Sequence, residues 1–280
     1  MNQKSLFDQV SYDCSRLTTQ AYSTSFSMGI RTLGKRFRNP IYAIYGFVRF
    51  ADEIVDTFHN YPKELLMARF REDTERAIEY RISLNPILNS FQEVYHHYKL
   101  DWDVVDTFLR SMEMDLMEKE YDQQGFESYI LGSAEVVGLM CLRVFTEGDY
   151  AYYEQLKPYA MRLGSAFQKI NFLRDLKADF NDLGRTYFPN IDMSEFSEAD
   201  KKFIEDEIDA DFREAHKGIL LLPKDARFGV YVAYTYYTRL FQKIRSLSSR
   251  RIMEERIRIP NQKKVALILK SYVQHNLNML

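Results

Sequence analysis

Almost the whole chain repeats its apolar residues at the 3.6-residue period of an α-helix, and little in it would interrupt that pattern. The 280 residues include 11 Gly and 7 Pro. That is below the average usage of roughly 7% and 5%, too little punctuation for the many tight turns of a β architecture. The pattern predicts an all-α chain with helices over 4–18, 40–59, 62–82, 101–120, 127–146, 151–182, 197–221, 225–249 and 260–277, and a loop over 183–195. Asn39 followed by Pro40 reads as an N-cap with proline at the first helical position, and Pro260 is expected to open the last helix in the same way. No repeat, low-complexity tract or linker divides the chain. Residues 1–280 are therefore expected to form one domain, and 46% hydrophobic content supports a sizeable core.

Charge and cysteine usage exclude several function classes. The 38 basic and 40 acidic residues give a net charge of −2 with no long single-sign block, so nucleic acid is not an expected partner. Cys14 and Cys141 form neither a CxxC pair nor a metal-ligand spacing, which fits a reducing, cytosolic setting. The N-terminus lacks an apolar signal core. The longest charge-poor stretch, around YILGSAEVVGLMCL, is interrupted by Glu135 and reads as too short to span a bilayer. The expectation is a cytoplasmic protein with at most peripheral contact to the inner face of a membrane.

Two stretches place acids where the helix should be buried. With 40 acids in 280 residues, a lone pair four apart arises by chance several times and usually marks a solvated or salt-bridged face. What surrounds the pair decides its meaning. In RFADEIVD, Arg49, Asp52 and Asp56 fall within roughly 60° of arc, with Tyr42 and Tyr45 over the same arc. The rest of that helix (Ile44, Phe47, Val48, Phe50, Ala51, Ile54, Val55, Phe58) is apolar all round. In the second stretch Gly164, Gln168, Asn171, Asp175, Asp179 and Asp182 form a stripe about 80° wide, flanked by Leu163, Phe167, Phe172, Leu173 and Leu176, with Arg174 at its border. Buried carboxylates without counter-charges are costly, so two such stripes facing one another call for cations between them. Carboxylate oxygens favour a hard ion such as Mg²⁺, which completes its shell from phosphate and water. The two stripes together therefore point to Mg²⁺ holding a diphosphate.

At these residues the chain resembles the squalene and phytoene synthase family of head-to-head prenyl transferases. YSTSFSMGIR matches its serine-rich segment with Ser23, Ser25 and Phe26. RFADEIVD matches the first aspartate-rich helix with Arg49, Asp52, Glu53 and Asp56. QKINFLRDLKADFNDLGRTYFP matches the second with Gln168, Asn171, Arg174, Asp175, Asp179, Arg185 and Tyr187. The middle motif, of the form YCYxVAGxVG, departs: YILGSAEVVG keeps Tyr129, Ala134, Val137 and Gly138, but Leu131 and Glu135 replace a tyrosine and a glycine. The resemblance covers nearly the whole chain.

The resemblance implies an all-α, single-domain isoprenoid-synthase-type bundle around a central cavity, and a reaction joining two prenyl diphosphates through a cyclopropylcarbinyl diphosphate. It assigns Asp52, Asp56, Asn171, Asp175 and Asp179 to Mg²⁺, with Mn²⁺ as a substitute. Ser23, Ser25, Phe26, Arg49, Gln168, Arg174, Arg185 and Tyr187 are assigned to the diphosphate substrate. Tyr129, Asp52 and Asp175 are the catalytic candidates, Tyr129 for proton transfer. Among the 20 Phe and 20 Tyr, Phe26, with Met28, Leu139, Met140 and Leu142, is expected to line an apolar tunnel, where aromatic faces stabilise carbocations. The expected product is phytoene from geranylgeranyl diphosphate, with no NADPH required. Squalene or dehydrosqualene formation from farnesyl diphosphate and a non-catalytic assembly factor on the same fold are the alternatives. A chain-elongating transferase would carry two DDxxD motifs and a terpene cyclase a serine- and glutamate-bearing metal motif. Chain length, double-bond geometry and oligomeric state stay open.

Overall fold

The computed structural model describes residues 3–117, 121–177, 180, 187–189 and 191–259. These residues contain no strand. The helices are α1 (Gln3–Tyr22), α2 (Thr24–Thr32), α3 (Lys35–Asp56), α4 (Lys63–Tyr80), α5 (Pro86–His97), α6 (Trp102–Met117), α7 (Gln123–Ile130), α8 (Val136–Phe145), α9 (Tyr150–Lys177), α10 (Glu198–Leu221), α11 (Lys224–Arg245) and α12 (Ser249–Glu254). A π-helical turn, Leu131–Glu135, joins α7 to α8.

Local chemistry sets most of the starts. Asn85 accepts the Ile87 amide with Pro86 in the first turn of α5, and Ser197 and Asp200 form a reciprocal capping box at α10. Asp122 caps α7 by accepting from Gly125 N at 2.7 Å. The expected start at Asn39 and Pro40 is wrong: α3 begins at Lys35, and Pro40 lies inside it. The extra turn is held by tertiary packing, because Phe37 is fully buried with its ring edge-on to Phe145 at 5.6 Å. That burial outweighs the one backbone hydrogen bond lost at the proline. Helices α2, α5 and α12 were not among the expected elements. The helix expected over 260–277 lies outside the described residues.

The stretch read as too short to span a bilayer runs instead as a continuous 23-residue helix, Gln123–Phe145, long and apolar enough on length and composition to cross a membrane. In the bundle it is a core element, with 56% of its most apolar window buried.

The core has two parts. One gathers α3 to α6 and α8 around Phe47, whose ring stacks on Phe91 at 3.9 Å and meets Phe70 and Phe108. Leu139, Met140 and Leu142 are buried in this part. The other gathers α7 and α9 to α11 around Phe172, Tyr187, Tyr237 and Phe241. Helices α3 and α9, which carry the two acid stripes, share no extended packing among the described residues. The acid-bearing part of α3 packs into the first part of the core and that of α9 into the second, while the start of α9, with Tyr153 and Leu156, joins the first.

Candidate active site

On α3, Arg49 forms ion pairs with Asp52 and Glu53, and its guanidinium lies over the Tyr22 ring at 4.4 Å. Its Nε is buried without a hydrogen-bond partner, so one N–H of the fork is uncommitted. The Asp52 carboxyl is pushed up to about 7, first by burial and then by Asp56, against the pull of Arg49 and with Asp115 and Glu53 adding to the rise. Its side chain keeps 39% of its exposure, so the concavity crowds it without sealing it. Asp56, one turn on, is exposed at the rim.

On α9, Arg174 Nε donates to Asp175 Oδ1 at 3.1 Å. Asp175 is gripped from a second side by Arg256 Nε at 2.6 Å. Asn171 Oδ1 accepts from the Tyr237 hydroxyl at 3.3 Å, and Gln168 is half-buried just before it. Asp179, Asp182 and Arg185 lie outside the described residues.

Aromatic side chains connect the two stripes. Phe26 sits 5.7 Å from Tyr45 of α3 and 6.4 Å from Tyr237 of α11. Ser23 caps α2 by accepting the Phe26 amide at 3.2 Å and also hydrogen-bonds Tyr45. Its hydroxyl is thus engaged in holding Phe26 and Tyr45. Ser25 is half-buried in the first turn of α2. Tyr42, expected over the same arc as the acids, is a core residue.

On the other side Tyr129 is 5% exposed and packs against Tyr121, Phe172 and Tyr187 at 5.2, 5.9 and 5.4 Å. Burial, then the charge of Asp115, the Tyr187 phenol and the charge of Asp56, push its hydroxyl well above the usual phenol range. This direction keeps the Tyr129 hydroxyl protonated, with its proton available to donate.

The structure brings Asp52, Arg49, Asn171, Arg174, Asp175, Phe26, Tyr129 and Tyr187 into one region. It also adds residues that sequence reasoning missed. Asp115, 5% exposed, acts on both Asp52 and Tyr129 and accepts from the Tyr121 hydroxyl at 3.3 Å. Its signal was present: Phe108, Met112 and Asp115 follow the buried helical period of α6, with an acid in the last place. Tyr237 sits likewise on the buried face of α11. Arg256 follows α12 and had no local signal.

The donors here are carboxylate, amide and phenol oxygens. This set, with a carboxyl whose proton affinity is raised by burial and then by neighbouring acids, suits a hard cation. Among the described residues no three acids stand close enough to cage an ion by themselves.

Comparison with known proteins identifies the family. The family profile described as Squalene/phytoene synthase matches residues 19–263. A 4,4'-diapophytoene synthase from Staphylococcus haemolyticus is 27% identical over 68% of this chain and 65% of its own length. The chain therefore spans slightly under two thirds of that relative. A phytoene synthase from Arthrospira platensis is 26% identical over 91% of this chain and 90% of its own length. The crystal structure of a dehydrosqualene synthase in complex with ligand superimposes with a TM-score of 0.82 at 20% identity, covering 98% of each chain. Members of the matched family are prenyltransferases that bind prenyl diphosphates. With a family match over most of its length and both acid-bearing helices lining one site, this chain belongs to the squalene/phytoene synthase family.

Proposed function

We propose that this protein is a phytoene synthase, joining two geranylgeranyl diphosphates head to head through a cyclopropylcarbinyl diphosphate. The observation that carries the reaction type is the placement of Arg49 with Asp52 and of Arg174 with Asp175 on separate helices, bridged by Phe26 and Tyr237. The twenty-carbon substrate is favoured because the phytoene synthase relative aligns over 91% of the chain. A specific observation favours a second reading, dehydrosqualene formation from farnesyl diphosphate: the dehydrosqualene synthase fold superimposes over 98% of the chain.

Asp52, Asp56, Asn171 and Asp175, with Asp179 outside the described residues, would hold Mg²⁺ or Mn²⁺, which supplies Lewis-acid withdrawal of charge from the leaving diphosphate. Arg49 and Arg174 bind phosphate oxygens through their guanidinium groups. Ionisation of one substrate gives an allylic cation, the double bond of the other captures it, and loss of a first proton closes the cyclopropylcarbinyl diphosphate; its own ionisation expels the second diphosphate, and the rearranged cation then loses a second proton. The faces of Phe26, Tyr45 and Tyr237 shield that cation from water and stabilise it electrostatically. Tyr129 donates a hydrogen bond to the departing diphosphate. That diphosphate, and not the Tyr129 phenol, takes the proton whose loss completes the central conjugated triene. Because the sequence ends by proton loss, no hydride donor is needed. The insoluble hydrocarbon product is released at the cytoplasmic face of a membrane through peripheral contact.

The test supplies geranylgeranyl and farnesyl diphosphate separately, each with Mg²⁺ and with or without NADPH, and identifies products by chromatography and mass. A C40 triene without reductant is expected. A C30 triene formed in preference supports the second reading, and a saturated central bond formed only with NADPH overturns both.

A further inference from the structure

Glu135 is one of the two residues at which the middle motif departs from its family pattern, and the reaction above does not use it. It ends the π-turn that follows Tyr129, a type of local irregularity concentrated at functional sites. The π-turn touches α9 backbone to backbone. A Cβ on Gly164 would stand 2.7 Å from Ala134 O and 2.9 Å from Glu135 Cα, so only glycine permits this approach.

The same stretch of α9 is gripped from roughly 120° around its axis by Asp211 of α10, which is 2% exposed. Asp211 accepts from Arg162 at 3.0 Å, Ser165 at 2.8 Å and Lys169 at 3.0 Å, all from α9. Lys169 also pairs with Glu207 at 3.2 Å. Glu135 is set beside this stretch by the Gly164 approach and lies within electrostatic reach of the cluster: the charged groups acting on it are Asp211 from α10 and Arg162 and Lys169 from α9. Helix α6 brings the Ser111 side chain and the Thr107 carbonyl to the π-turn at Gly132. No charged group of α7 or α8 is among those acting on Glu135.

We propose that Glu135, Lys169 and Asp211 form a positioning cluster that sets α9 against the π-turn, and with it the placement of Gln168, Asn171 and Asp175 relative to Tyr129; this rests on the prenyl-transfer reading above. With Glu135 neutral, two carboxylates (Asp211, Glu207) face two cations (Arg162, Lys169) and the cluster is balanced. Ionised Glu135 adds one uncompensated negative charge and competes with Asp211 for Lys169 and Arg162. Burial, then the charge of Asp211, raise the Glu135 carboxyl to about 7 against the pull of the two cations, so the balanced arrangement loosens above neutral pH. Glu135 touches no reacting atom in this account and works through the seating of α9.

The experiment compares the full-length wild type with Glu135→Gln, which fixes the neutral form, and Glu135→Asp, which keeps the titration. For each, kcat and KM of Mg²⁺-dependent diphosphate release from geranylgeranyl and farnesyl diphosphate are measured from pH 6 to 9. The shift in melting temperature given by Mg²⁺ with inorganic diphosphate is measured over the same range. Wild type and Glu135→Asp should lose about fivefold in kcat between pH 6.5 and 8.5 with KM nearly constant, and the diphosphate-induced shift should shrink in parallel. Glu135→Gln should hold both within about twofold. Titrations of the site carboxylates are common to all three proteins and cancel in the comparison. Superimposable pH profiles for wild type and Glu135→Gln in an active enzyme overturn the positioning cluster and leave the reaction standing. An inactive chain whose diphosphate-induced shift still depends on Glu135 keeps the cluster and overturns the reaction. An inactive chain with no such dependence overturns both.

Discussion

The Tyr237 hydroxyl donates to Asn171 Oδ1 at 3.3 Å, and the ring of Tyr237 stacks on Phe167 at 3.9 Å. This fixes the amide of an acid-stripe residue on α9 from α11, a helix that carries none of the sequence motifs. Removing the hydroxyl in Tyr237→Phe keeps the stacking and frees the amide to rotate. We expect kcat to fall about tenfold, a loss of about 1.4 kcal/mol, with the melting temperature nearly unchanged. Steady-state diphosphate release and thermal unfolding check this, and an unchanged kcat would remove Asn171 orientation from the account.

Asp52→Asn should nearly abolish turnover while leaving the fold intact. In the folded protein the Asp52 carboxyl is raised to about 7 from an ordinary value of 3.8. Between these values the folded state binds more protons than the unfolded chain, so Asp52 lowers stability as pH rises through that window. Its side chain keeps 39% exposure, and screening limits the effect to about 1 kcal/mol. The asparagine variant should therefore melt higher than wild type above pH 7 and alike near pH 4. Melting curves across pH 4 to 8.5 test the sign.

Mg²⁺ and inorganic diphosphate together should raise the melting temperature, and chelation should reverse the rise and stop turnover. A ligand present at 100 times its Kd adds about 2.7 kcal/mol. Mg²⁺ alone should do much less, because among the described residues no three acids cage an ion. A melting temperature unmoved by both together, at concentrations that would support turnover, would favour the non-catalytic helical factor.

Phe47→Ala should destabilise by about 3 to 5 kcal/mol. Phe47 is fully buried, and its ring meets Phe70, Phe91 and Phe108, so the cavity has little around it that can collapse. Denaturant titration measures the loss. Near the melting point, turnover should fall with the folded fraction and not in KM, because Phe47 supports α3 without facing the site.

The all-α class and the two acid stripes were legible in the sequence because both are local periodicities. A helix repeats every 3.6 residues whether or not its partners are known, so Asp52 with Arg49 and Asn171 with Asp175 could be placed on single faces before folding. What lay across from them could not. Asp115, Tyr237 and Arg256 reach the site from α6, from α11 and from the segment after α12. Pairings over such sequence separations leave no period to read. The start of α3 followed the same rule: Asn39 and Pro40 gave a sound local signal, and the burial of Phe37 against Phe145 overrode it. Glu135 shows the division most clearly. In the sequence it is a charge interrupting an apolar helix, and only the packing of the π-turn against α9, and of α9 against α10, brings Lys169, Arg162 and Asp211 to act on that charge. The sequence by itself determined which residues share a helix face, since that depends on covalent spacing alone; the tertiary structure decided which faces meet, since that depends on side chains far apart in the chain filling one another's space.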